Sequence, residues 1–190
     1  MRRDQLEHAI RTACQIAGIS EVIIVGSQAI LGSFTEDELP FQATRSLEID
    51  VLPIADDTGE IMRLADEIEG VAGELSTFAQ AHGFSIDGVD LDTAVLPAEW
   101  RSRLVKVQNQ NTAAPSGQPV FIGWCLDKED LCVSKLCALR PKDQYFVDAL
   151  IDAHLVDPTL ISTRLLTVPE QHREAAQRAT AWLDHRMNKR

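Results

Sequence analysis

The chain has 190 residues, 45% of them hydrophobic, and a formal net charge of −11. That length suits one domain of ordinary size or a core with a small helical appendage, and the apolar content is enough to bury a core. No stretch approaches the roughly 20 apolar residues of a membrane span, and Met1-Arg2-Arg3-Asp4 leads into a charged segment rather than a signal sequence, so the chain is expected to be soluble and cytoplasmic, with no membrane partner.

The charge is uneven. Residues 36–92 hold fifteen acids against Arg45 and Arg63, whereas residues 93–190 hold thirteen Lys and Arg against eleven acids. The acidic middle repels nucleic acid, so any RNA or nucleotide contact is expected to use the C-terminal half, with a metal bridging to the acidic face. The four cysteines (Cys14, Cys125, Cys132, Cys137) form no Cys-x-x-Cys pair and the five histidines are scattered. No zinc pattern emerges, and buried reduced thiols are expected.

In chain order, Leu6, Ile10, Ala13, Cys14 and Ala17 mark a helix over 3–17, with Gly18 as its stop. Val22-Ile23-Ile24-Val25 reads as a strand buried on both faces, ending at Gly26-Ser27. A short helix at 28–31 and an acidic loop over 32–44 follow. The strand 46–52 alternates strictly: Leu47, Ile49 and Val51 point one way, and Glu48 and Asp50 the other. Two carboxylates side by side near a Gly-Ser turn repel each other and call for a cation. Carboxylate oxygens completed by substrate phosphates are the usual protein share of a Mg²⁺ site.

Asp56-Asp57-Thr58 caps a helix through Ile61, Leu64, Ala65 and Ile68, and a second helix is expected over about 71–82. Asp87-Gly88 signals a tight turn, followed by an alternating strand through Val89, Asp90, Leu91 and Asp92. Strands at 103–107 and 119–124 flank a polar loop. From Leu126 the period becomes helical. Asp127 caps a helix ending at Arg140-Pro141, a second spans about 142–154, Asp157-Pro158 starts a third, and Val168-Pro169-Glu170 opens a last, basic helix ending in Arg186 to Arg190. The expected architecture is α+β: a mixed-sheet core over 1–125, then a small helical bundle over 126–190.

Strand, Gly-Ser, helix and then a strand carrying an acid-x-acid pair resembles the nucleotidyltransferase superfamily, the polymerase-β-like fold. The resemblance implies that Gly26 and Ser27 hold the phosphates of a nucleoside triphosphate (NTP) and that Glu48 and Asp50 hold Mg²⁺ or Mn²⁺. It also implies a third metal carboxylate on a later strand, with Asp90 as the candidate and Asp92 next. Two departures stand out: Glu48 occupies a place where the family usually has Asp, and the spacer from Ser27 to Glu48 is long. Lys135-Leu136-Cys137-Ala138-Leu139-Arg140-Pro141-Lys142-Asp143 resembles a segment of bacterial minimal nucleotidyltransferases and abortive-infection-type toxins. There Lys135 and Arg140 would meet the triphosphate. Asp143 would orient them or help accept a proton.

The resemblance therefore implies transfer of a nucleoside monophosphate to an RNA end such as tRNA, or to a protein hydroxyl, in a chain that would be the toxin of a toxin–antitoxin pair. The rival reading is an inactive member of the fold, acting as a nucleotide-sensing or protein-interaction module; a third is an interaction domain that docks a partner through its basic last helix. Gly26 lies in no Walker or dinucleotide fingerprint. Ser27 lacks the Gly-x-Ser-x-Gly elbow of a hydrolase.

Overall fold

Val22 and Ile24 have no solvent exposure and Ile23 only 5%, because the strand β1 (Glu21–Ile24) lies at the centre of the sheet in this computed structural model, which describes residues 1–188. β1 pairs antiparallel with β2 (Glu48–Pro53) and parallel with β5 (Ile122–Cys125). β3 (Ser85–Gly88) adds parallel to β2, and β4 (Val105–Val107) antiparallel to β5, giving the order β3-β2-β1-β5-β4. The fold is α+β, as expected.

α1 (Arg3–Ala17) and α2 (Thr58–Ala72) pack on each other and on the sheet. Gly18 takes φ 66° and closes α1, and Asp57 caps α2 by accepting from the Glu60 amide at 3.0 Å. The stretch expected as one helix over 71–82 breaks at Gly73, leaving α3 (Thr77–His82) as its helical part, capped by Ser76. The strand expected from Val89 to Asp92 does not form. The ladder stops at Gly88, and Leu91–Thr93 is a 3-10 turn. Gly88 makes no turn there: it sits in β3 opposite Val51, where an added Cβ would lie 1.9 Å from the backbone oxygen of Ala65 on α2. Contact with a helix, not a hairpin, asks for this glycine. Leu47, expected within the strand on the face of Ile49 and Val51, precedes it and is 58% exposed.

The segment expected as an acidic loop is ordered by contacts on both sides. It contains the 3-10 turns Glu36–Glu38 and Phe41–Ala43. Glu36 Oε2 accepts from the Arg3 amide at 3.0 Å, placing a carboxylate at the positive end of α1. The second turn packs on α5 (Pro141–Asp152).

Past β5, α4 (Lys128–Ala138) is capped by Asp127, whose Oδ1 accepts from the Glu129 amide at 3.1 Å. α4 then packs against α5, α6 (Pro158–Leu165) and α7 (Arg173–Asn188). Fully buried Asp130 fixes its position: Arg103 Nε donates to it at 2.8 Å and Arg164 Nη1 at 2.9 Å. A buried carboxylate with two guanidinium partners is stable only while both stay in place. Buried side chains of the sheet and of the helical bundle form one continuous core. α7 is amphipathic and reaches Asn188; the last two residues of the expected basic end, Lys189 and Arg190, lie outside the described residues. All four cysteines are buried, and burial pushes their thiols up, Cys14 to about 12 and Cys137 to about 11. Among the described residues, no helix is long and apolar enough to cross a membrane.

Candidate active site

β1 ends where its neighbour β2 carries Asp50, and the Val25 amide donates to the Asp50 carbonyl at 3.1 Å. The next residue, Gly26, lies directly against the Asp50 side chain: an added Cβ would be 1.4 Å from Oδ2 and 2.9 Å from Cβ of Asp50. Gly26 has φ −80°, which any residue can adopt. Glycine is required there for space, not for backbone freedom. Ser27 then opens a 3-10 helix, Ser27–Gly32, packed on β2, β5 and α4.

On the other side, α4 ends with Leu139 at φ 53° and the chain turns through Arg140 into α5, with Pro141 in the first turn. This corner swings Lys135, Arg140 and Lys142 toward the carboxylates. Gly26, Ser27, Glu48, Asp50, Lys135 and Arg140 line one cavity of about 200 Å³, together with Ser46 and Lys142. The acidic strand thus faces a basic helix corner across a small cleft, and the positive charge comes from the C-terminal half. A mostly apolar cavity of about 410 Å³, lined by Ile23, Leu52, Ile61 and Trp124, shares no residue with the cleft.

Asp143 does not line this cleft. It is 2% exposed; Arg140 Nε donates to its Oδ2 at 2.6 Å and Nη2 to its Oδ1 at 3.2 Å, while Lys135 Nζ is 3.7 Å from Oδ1. Both oxygens are engaged by cations, so Asp143 positions the two basic side chains. Burial lowers the Lys135 ammonium from its ordinary value, and Asp143 and Asp50 oppose that drop.

Asp90 and Asp92 do not line this cleft. Asp90 Oδ1 accepts from the Asp92 amide at 3.0 Å and from Thr93 Oγ1 at 3.2 Å, capping its own turn. The carboxylate beside Asp50 is Asp87, its register partner on β3. Burial pushes the Asp87 carboxyl from 3.8 to about 6, and the neighbouring Glu48 adds to the rise. Burial also raises the Asp50 carboxyl; Lys135 pulls it down and Asp87 pushes it up. Asp87 Oδ1 is buried with no hydrogen-bond partner, and such an orphaned acceptor asks for a ligand.

Asp87 could have been found in the sequence. Ile86-Asp87 repeats the apolar-acid step of Ile49-Asp50, but the following glycine reads as a turn. Among the described residues, no three His, Cys, Asp or Glu side chains already stand at metal-holding geometry. Glu48, Asp50 and Asp87 nonetheless offer hard oxygen donors of like charge with one orphaned atom, a donor set that fits Mg²⁺ or Mn²⁺.

Residues 4–190 match a family model described as "Nucleotidyltransferase of unknown function (DUF6036)". No curated protein and no solved structure gives a match.

Proposed function

The chain belongs to this nucleotidyltransferase family, and from that premise we propose that it is an enzyme transferring a nucleoside monophosphate from an NTP to a hydroxyl of an RNA end or of a protein side chain. The observation that carries the reading is the cleft in which Glu48 and Asp50 face Lys135, Arg140 and Lys142. An acid group alone would fit a cation, and a basic corner alone a phosphate. A polyphosphate with its divalent ion needs the two opposed.

Glu48, Asp50 and Asp87 would hold the Mg²⁺. Metal bound there would supply positive charge to offset the negative charge developing in the transition state. Ser27, Lys135 and Arg140 hold the triphosphate, Lys135 as a point charge and Arg140 as a planar fork. Asp143 keeps both cations aimed into the cleft. The acceptor oxygen forms a bond to the α-phosphorus. The bond from that phosphorus to the β-phosphate bridging oxygen breaks, and pyrophosphate leaves with the electron pair. The hydroxyl proton passes to solvent as the new bond forms. Most of the catalytic effect in such chemistry is positioning and electrostatics.

A toxin role follows from the likeness to abortive-infection-type toxins, and an antitoxin would then be its partner. The test is incubation with Mg²⁺, each NTP labelled at the α-phosphate, and total RNA or cell lysate, with Asp50→Asn as control. Label on RNA or protein, lost in the variant, supports the enzyme. Metal-dependent nucleotide binding without transfer would favour a nucleotide-sensing module instead.

A further inference from the structure

The cleft does not end at Ser27. Ser27, Ser46 and Lys142 also line a larger chamber of about 670 Å³, a size usual for small-molecule sites. Its walls come from the end of the long insert, through Gln42 and Arg45, and from α5, through Tyr145 and Phe146. The floor is apolar, with Ala43 1% and Phe146 4% exposed. Tyr145, the only tyrosine of the chain, is 69% exposed at the rim. Arg45 lies 5.8 Å over the ring of exposed Phe41. One carboxylate, Asp143, reaches the chamber, and Arg140 and Lys135 already pair with it. The chamber therefore presents the positive side chains of Arg45 and Lys142 beside an aromatic face and a carboxamide.

We propose that this chamber receives the base and ribose of the NTP, so that the insert, read in the sequence as an acidic loop, selects the nucleotide. The inference rests on the transferase reading of the adjoining cleft. An aromatic face stacks on a base, a Gln carboxamide offers a donor and an acceptor to a base edge, and Arg45 and Lys142 suit the polyanion that links the two cavities. The occupant is the nucleoside rather than the acceptor because the chamber joins the cleft on the Ser27 side. A further groove of about 580 Å³ shares Arg45 and Ser46 with the chamber, continues past Glu48 to Glu74, Gln80 and Ser85 on the β3 side, and leaves room for the acceptor.

The test is isothermal titration of the full chain with Mg²⁺ and each of ATP, GTP, CTP, UTP and inorganic tripolyphosphate. Wild type and the double variant Gln42→Ala/Tyr145→Ala are compared, with melting curves to confirm folding. The expected result is that wild type binds at least one NTP about 10-fold or more tighter than tripolyphosphate, since one stacked base supplies that much. The double variant should lose this advantage while binding tripolyphosphate unchanged. Wild-type affinity for tripolyphosphate equal to that for every NTP, or unaltered NTP binding in the double variant, would overturn the inference and leave the transferase reading standing. Failure of wild type to bind both NTPs and tripolyphosphate would overturn the two together.

Discussion

Gly26 and Asp50 are in such close contact that a methyl group on the glycine would stand 1.4 Å from the Asp50 carboxylate oxygen Oδ2. The Gly-Ser turn and the carboxylate-bearing strand are thereby one unit: the end of β1 sets where the Asp50 carboxylate lies. Gly26→Ala should displace that carboxylate and strain the β1–β2 pair, costing about 1–3 kcal/mol of overpacking. Nucleotidyl transfer should disappear even though the protein still folds. Urea unfolding and a transfer assay check this; a fully active variant would break the link between the two segments.

Lys135 and Asp143 make a second dependent pair. Asp143→Ala leaves Lys135, with 11% of its side chain exposed, without its nearest carboxylate, and should cost about 3 kcal/mol. It should also raise the KM for NTP, because Arg140 loses its two hydrogen bonds. Lys135→Met should lower kcat/KM by about 100-fold, the usual loss when one preorganised charge partner of the transition state is removed. Denaturation and steady-state kinetics of the two variants check both outcomes.

Asp87 predicts an opposite sign for stability. Its folded value of about 6 lies above the ordinary 3.8. A carboxyl shifted this way favours folding while protonated, and that support is lost as pH rises from about 4 through 6. Metal-free Asp87→Asn should therefore melt higher than wild type at about pH 7.5; Mg²⁺ should raise the Tm of wild type but not that of the variant. Calorimetry with and without Mg²⁺ checks both; a full Mg²⁺ response in the variant would remove Asp87 from the site.

His8 governs the acid side. Its ring packs 4.5 Å from His82, 5.5 Å from Phe78 and 5.9 Å from Phe84. Burial lowers it below its ordinary 6.5, and Arg11 and His82 add to the drop. The unfolded chain then binds the proton more readily than the folded one, so this stability is present above 6.5 and is lost as pH falls below it. The Tm of wild type should fall more steeply than that of His8→Gln between about pH 7.5 and 5.5. Equal slopes would show that His8 carries no such load.

Much of the site was legible because local rules place it. Period two puts Glu48 and Asp50 on one face, the end of an apolar run locates Gly26 and Ser27, and a helix ending at Arg140-Pro141 locates Lys135 and Arg140. The apolar-acid step Ile86-Asp87 is visible in the sequence, but its place beside Asp50 is not, because that depends on parallel pairing with β2, across all of α2 and α3. Its glycine neighbour also mimics a turn while serving contact with Ala65. The insert looked like a loop because its order comes from α1 and α5, which no local pattern announces. Asp143 was identified, but its burial under two cations was not, since that requires the corner between α4 and α5.

The most direct measurement follows α- and γ-phosphate labels from the same NTP, with Mg²⁺ and the acceptor pool, in wild type, Asp87→Asn and Asp90→Asn. Wild type and Asp90→Asn should leave the α-label on RNA or protein and release the γ-label in pyrophosphate, and Asp87→Asn should do neither. Retention of the γ-label on the acceptor, or transfer by Asp87→Asn at the wild-type rate, would contradict this reading of the site.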